Sequence, residues 1–118
     1  GKVIGHILFS PVTLDSNPSL QLMGLAPMAV LSTQQRRGIG TALVKAGLYQ
    51  CQQQKIGAVI VLGHPTYYPK FGFSNAADYG IKSEYEVPAE AFMLIELQEG
   101  YLRGHSGTMQ YHEAFKAL

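Results

Sequence analysis

Cysteine is nearly absent from this chain: Cys51 is the only one in 118 residues. A single thiol excludes an intramolecular disulfide and a structural zinc site of the Cys₂His₂ type, and it fits a reducing, cytoplasmic setting. Charge is scarce as well. Only 14% of the residues are charged, against 47% that are hydrophobic, where a globular domain ordinarily carries about 25% charged residues. Such a chain has ample apolar matter for a core and does not read as disordered. Nine basic and eight acidic residues nearly cancel, to a formal +1, so there is no electrostatic footprint for DNA or RNA. No apolar run reaches the ~18 residues of a membrane span. The opening residues also lack the basic region, apolar core and cleavage site of a secretion signal.

What is present is a series of short elements. Residues 3–14 are apolar and rich in Val, Ile and Phe, and they predict a strand. Asp15-Ser16-Asn17-Pro18 is a dense turn signal, and the apolar run over 20–31 predicts a second strand, so the two form a hairpin. Pro27 removes a ladder hydrogen bond from the second strand and predicts a bulge or an exposed edge there. Over residues 38–54, Ile39, Leu43, Ala46 or Gly47, and Cys51 recur at the spacing of an amphipathic helix. The polar stretch 50–55 and then Gly57 should end it. Ala58 to Leu62 is a continuous apolar run, as in a buried strand, and strand, helix and strand at this spacing predict a parallel crossover. Beyond it the expectations are one turn between Pro65 and Pro69, a loop over 75–79, a strand over 91–97, a turn-rich connection over 100–107, and a last strand or short helix. No repeat and no linker interrupts the chain, which predicts one α/β domain over residues 1–118.

The most informative stretch is Gln35-Arg36-Arg37-Gly38-Ile39-Gly40-Thr41, between a predicted strand and a predicted helix. The first amide N–H groups of a helix have no intrahelical partners, and the helix dipole adds partial positive charge at that end. A pyrophosphate placed there accepts several N–H bonds at once. Glycines at 38 and 40 let phosphate oxygens approach the backbone without a Cβ in the way, and Arg36 and Arg37 add charge. A dinucleotide fingerprint is ruled out, because Leu43 stands where its third glycine belongs. A Walker loop is ruled out because Gly-Lys-Ser/Thr is missing. On this pattern alone the stretch is either a phosphate grip or a helix start with two structural glycines.

Gln35-x-x-Gly38-x-Gly40 matches the Gln/Arg-x-x-Gly-x-Gly/Ala motif of the GNAT superfamily of N-acetyltransferases, and residues 25–31 resemble the strand that carries it. Tyr67-Tyr68-Pro69-Lys70-Phe71-Gly72-Phe73 resembles the family's Tyr-x-Lys-x-Gly-Phe segment. Gly63-His64-Pro65 leading into that segment looks like the bacterial predicted-acetyltransferase subgroup. The resemblance covers residues 1–97. It implies an α/β (α+β) fold: a mixed, mostly antiparallel sheet with a central parallel splay and flanking helices.

The resemblance further implies transfer of an acetyl group from acetyl-coenzyme A to an amine by direct attack, in which proximity and orientation do most of the work. Carried over by motif, the backbone N–H groups of Arg36, Arg37, Gly38, Ile39, Gly40 and Thr41, next to Gln35, would hold the pyrophosphate. Ala29, Val30 and Leu31 would pair with the pantetheine arm, with Val30 or Leu31 offering an N–H to the developing oxyanion. Tyr68, five residues before Phe73, aligns with the tyrosine that often protonates the departing thiolate; the competing role is core packing. Tyr67 is expected to face the other way and pack. His64 is the best base for the attacking amine, an imidazole ordinarily titrating near ~6.5, or it simply fixes the turn before Pro65. His6 reads as a core or edge residue and Cys51 as a buried small hydrophobe.

Two departures from the family stand out. Its opening strand and two helices, which build much of the acceptor pocket, have no counterpart here, so the domain reads as incomplete at its N-terminal side. An exposed edge beside residues 3–14 would then invite a second copy of the chain or another partner. The usual Asn before the tyrosine segment is also missing. The leading reading is an N-acetyltransferase acting on a small molecule or peptide. The alternative is a non-catalytic acyl-coenzyme A-binding module, and a third reading is a plain α/β domain with structural glycines.

Overall fold

The computed structural model describes residues 9–25 and 39–111. Strands β1 (Phe9–Leu14) and β2 (Asn17–Leu25) form the expected antiparallel hairpin, with Phe9 opposite Leu25 and Val12 opposite Leu22. Its turn is fastened from across the chain: the Asp15 carboxylate accepts the Thr108 N–H at 2.9 Å, and the Asp15 N–H donates to the Thr108 carbonyl at 3.0 Å. Pro18 sits near the start of β2, where a missing N–H is tolerated. The expected bulge at Pro27 lies outside the described residues, as does His6.

Helix α1 (Ile39–Gln53) buries Val44, Gly47, Leu48 and Cys51. Gly47 and Cys51 belong to the expected stripe; of its other members Leu43 is half-buried and Ala46 exposed, and Val44 and Leu48 fill the core beside them. The end of α1 also differs from expectation. The helix does not wait for Gly57 to stop it: Lys55 takes the left-handed conformation (φ 64°), and the Ile56 N–H reaches back to the Cys51 carbonyl at 2.9 Å. This is the geometry that caps a helix C-terminus. Gly57 is required for a different reason. A Cβ there would collide with the ring of Tyr101, whose hydroxyl accepts the Gln21 N–H at 2.8 Å.

Strand β3 (Ala58–Leu62) has the predicted limits and pairs parallel with β2, Leu22 opposite Ala58 through Leu25 opposite Val61. A parallel pair needs a long crossover, which contains α1. The splay expected beyond Leu25 falls outside the described residues. A 3₁₀ turn, Tyr68–Phe71, extends past Pro69 rather than ending between the prolines. The expected loop over 75–79 is ordered as β4 (Ser74–Asn75) followed by a 3₁₀ turn, Ala76–Tyr79. Strand β5 (Ile81–Ser83) has no counterpart among the sequence expectations; a third 3₁₀ turn, Ala89–Ala91, leads into β6 (Phe92–Glu96), and β7 (Gly107–Tyr111) follows the turn-rich connection.

Among the described residues the seven strands form one mixed sheet in the order β4-β6-β3-β2-β1-β7-β5. Four of its six pairings are antiparallel; β2/β3 and β5/β7 are parallel. The mixed, mostly antiparallel α/β architecture with a central parallel pair is the expected one, flanked in the described residues by one α-helix and short 3₁₀ turns. The edge expected beside β1 is covered in part, because β7 pairs with Val12, Thr13 and Leu14.

Side chains alternate across the sheet as strand geometry requires. Val59, Val61 and Met93 face α1 and pack with Phe9, Leu25, Val44 and Leu48. Ala58, Ile60, Phe92 and Leu94 face the other way, onto a core closed by Ile81, Leu102 and Met109. Burial pushes the Cys51 thiol from 9.0 up to about 11, and the Tyr68 and Tyr111 phenols from 10.0 up to about 12. Below about pH 8 these groups are mostly neutral whether the chain is folded or not. Above it the unfolded chain releases the thiol proton first and the phenol protons next, while the folded protein keeps them. The unfolded state then binds fewer protons, so stability falls as pH rises. A urea midpoint that declines steadily between about pH 9 and 11 is expected; a flat profile would contradict these burials.

Candidate active site

Strand β3 ends at Leu62, and the next residues turn sharply. The Gly63 N–H donates to the Ala91 carbonyl at 3.0 Å, tying this end of β3 to the start of β6. The His64 carbonyl accepts the N–H of Tyr67 at 3.2 Å and of Tyr68 at 3.5 Å. Pro65 and Pro69 have no N–H to satisfy, which suits the start of a turn. The following 3₁₀ turn stops at Gly72, whose φ of 104° places it in the left-handed region. These constraints fold Tyr68 back onto the strand end.

Tyr68 is 2% exposed. Its ring meets Phe73 edge-on, centroids 5.8 Å apart, and stands perpendicular to Tyr67 at 5.0 Å. Burial, with a smaller contribution from Tyr67, raises its phenol to about 12, so it keeps its proton throughout the physiological range. The ring thus packs in the core, and the residue also lines an open groove.

That groove has a volume of about 460 Å³. Leu62, Gly63, His64, Pro65 and Tyr68 line it from one stretch of chain, and Val87, Pro88 and Ala91 from another. His64 and Tyr68, the two side chains expected to transfer protons, thus share a cavity, with His64 exposed. Gly63 is required by proximity: a Cβ built on it would lie 2.5 Å from the Tyr68 ring. Gly63→Ala should displace that ring, lowering turnover about tenfold or more and stability by about 1–3 kcal/mol. Turnover and melting temperature both unchanged would contradict this packing.

Thr41, in the first turn of α1, is half-buried and its Oγ1 lies 3.3 Å from the Tyr67 hydroxyl. Tyr67 does not face away from Tyr68 as expected: the two rings meet edge-on in the same cluster, and the Tyr67 hydroxyl joins the tyrosine segment to the helix start. The Lys70 ammonium sits 4.0 Å over its ring centre. Ile39 and Gly40 lie in α1 as expected, and the first turn of α1 carries no acidic residue to repel a phosphate. The remaining cofactor residues, Ala29, Val30, Leu31, Gln35, Arg36, Arg37 and Gly38, lie outside the described residues. His105 is half-buried in the turn before β7 and does not line the groove; His112 is outside the described residues. The buried, proton-retaining Cys51 behaves as a small hydrophobe.

Residues 1–75 match the acetyltransferase (GNAT) domain family. The chain belongs to the GNAT acetyltransferase family. It is 36% identical to the uncharacterized N-acetyltransferase YhbS of Escherichia coli K12 over 98% of its own length and 68% of the relative's. It is 40% identical to the uncharacterized N-acetyltransferase YjhQ of the same organism over 76% of its length and 51% of the relative's. The crystal structure of the GNAT family N-acetyltransferase YhbS with CoA superposes with a TM-score of 0.80 at 34% identity, covering 92% of this chain and 59% of that one. A GNAT family acetyltransferase of Brucella melitensis in complex with acetyl-CoA gives 0.65 at 28% identity, with coverage of 91% and 57%. This GNAT chain therefore spans about half to two thirds of the length of the proteins it matches. Both solved neighbours hold the coenzyme that the sequence motifs anticipate.

Sequence reasoning missed the far wall of the groove. Val87, Pro88 and Ala91 carry no motif, and only the pairing of β6 with β3 brings them beside Gly63. The Tyr67–Thr41 contact was equally hidden, because 26 residues separate the two.

Proposed function

We propose that this GNAT chain is an acetyl-CoA-dependent N-acetyltransferase whose chemistry takes place in the groove beside Tyr68. The observation that carries the reading is a buried, protonated tyrosine on an open cavity at the end of the central parallel pair, in a chain of this family. The coenzyme's pyrophosphate would bind the backbone of Arg36 to Thr41, at the start of α1. Its pantetheine arm would run along Ala29, Val30 and Leu31, with Gln35 flanking the phosphate corner. The neutral amine attacks the thioester carbonyl, the C–N bond forms and the C–S bond breaks. The Tyr68 hydroxyl gives its proton to the leaving thiolate and is reprotonated from solvent, and His64 takes the proton the amine must lose. The acceptor is an amine of a small molecule or peptide.

A second reading is a non-catalytic acyl-CoA-binding module, which coenzyme-bound neighbours would fit equally well. Two measurements separate the possibilities. Acetyl-CoA at a hundred times its Kd should stabilise the protein by about 2.7 kcal/mol if it binds the native state alone; no shift in melting temperature would overturn both readings. Thiol release that depends on an added amine supports the transferase. Stabilisation without release against a broad amine panel would leave the binding module.

A further inference from the structure

The groove beside Tyr68 also constrains what enters it, given the reading that acetyl transfer takes place there. Its described lining is mostly carbon. Leu62, Pro65, Val87, Pro88 and Ala91 present apolar surface, and His64 and Tyr68 are the two described side chains able to form hydrogen bonds. Neither Lys nor Arg is among the described lining residues, so this described part of the groove offers no cation to pair with a carboxylate or phosphate on the acceptor. The segment that forms the far wall carries acid instead. Exposed Glu86 and Glu90 flank Val87 and Ala91, and Glu86 lines the neighbouring cavity that shares Val87 with this one.

A carbon-lined cavity with carboxylates beside its wall complements one kind of molecule well. Its ammonium form is drawn in by the acidic flank, and its body gains by leaving water. A sugar-like amine would bring several hydroxyls and find two side-chain partners. A single hydroxyl buried without a partner lowers affinity about tenfold or more. A polyamine would lay further ammonium groups against apolar walls, where an unpaired charge is costlier still. We propose that the acceptor is a primary amine on an apolar alkyl or aryl body, rather than an amino sugar, a polyamine or an amino acid.

The test compares acetyl-CoA-dependent thiol release with 2-phenylethylamine and hexylamine against D-glucosamine, spermidine and glycine. The first two should exceed the others in kcat/KM by at least about tenfold. In Val87→Asn the advantage should shrink mainly through a higher KM for 2-phenylethylamine, with the KM for acetyl-CoA unchanged. Equal turnover, or preference for any of the polar amines, would overturn the acceptor class while leaving the transferase standing. If no amine reacts, the transferase reading fails, and calorimetry on the CoA-loaded protein judges the groove alone. A Kd for 2-phenylethylamine at least about tenfold below that for D-glucosamine sustains the inference; a smaller difference, or no binding, overturns it.

Discussion

Tyr68→Phe is expected to lower kcat by about a hundredfold or more while leaving acetyl-CoA binding unchanged. General acid catalysis by a positioned side chain contributes about 10²–10⁴ in rate, and this substitution removes the hydroxyl alone. The ring keeps its edge-on contacts with Phe73 and Tyr67, so the melting temperature should stay within a few degrees. The wild-type pH profile gives an independent check. The folded-state phenol sits at about 12, so kcat should show no descending limb from loss of its proton between about pH 8 and 10. Steady-state kinetics with any good acceptor, beside a thermal melt with and without acetyl-CoA, reads all of this. A kcat within about threefold of wild type would remove Tyr68 from the chemistry and leave it as a core aromatic.

Leu94→Ala should cost about 2–5 kcal/mol of stability. Leu94 is fully buried in the middle of β6, opposite Ile60 of β3 on one side and Ser74 of β4 on the other. It faces the side of the sheet that has no α-helix over it among the described residues; short strands, a 3₁₀ turn and the 99–104 connection close that core. Sheet hydrogen bonds on both sides hold the backbone around Leu94 in place, so the void should collapse poorly. In a domain of this size the loss corresponds to a melting temperature lower by roughly 10 °C or more, a large share of the roughly 5–15 kcal/mol that holds a domain together. A denaturant midpoint within about 0.3 M of wild type would show that this face is looser than its packing implies. The half-buried Leu43 on α1 serves as the control, since truncating it should cost about 1 kcal/mol.

Much of the fold was legible where the deciding interactions are local. The hairpin followed from a turn signal between two apolar runs, and β3 was located to the residue because a fully buried strand shows as an unbroken apolar run. Helix α1 is evident from its spacing, which also marks Gly47 and Cys51 as buried, but Val44 and Leu48 rather than Leu43 and Ala46 complete the buried face. Its end departs from expectation for a specific reason: glycine is the usual left-handed terminator, but Lys55 takes that conformation while the glycine two residues on is kept bare by an aromatic ring from far along the chain. The short pieces β4 and β5 and the 3₁₀ turn between them carry too few residues for any periodicity, and pairing with β6 and β7 orders both strands.

The sequence by itself determined the family, through two motifs whose residues sit close enough together to be read as patterns. It also determined the order of the central elements and that Tyr68 and His64 lie just past the central strand. Tertiary structure alone decided that β7 lies against β1, that Tyr67 reaches Thr41, that Gly63 must lack a side chain, and that Val87, Pro88 and Ala91 complete the groove. The physical reason is one of range. Helical spacing, turn chemistry and strand alternation act between residues a few positions apart and leave a periodic mark. A groove wall is made by sheet pairing between residues far apart in the chain, and that contact imposes no local pattern on either partner.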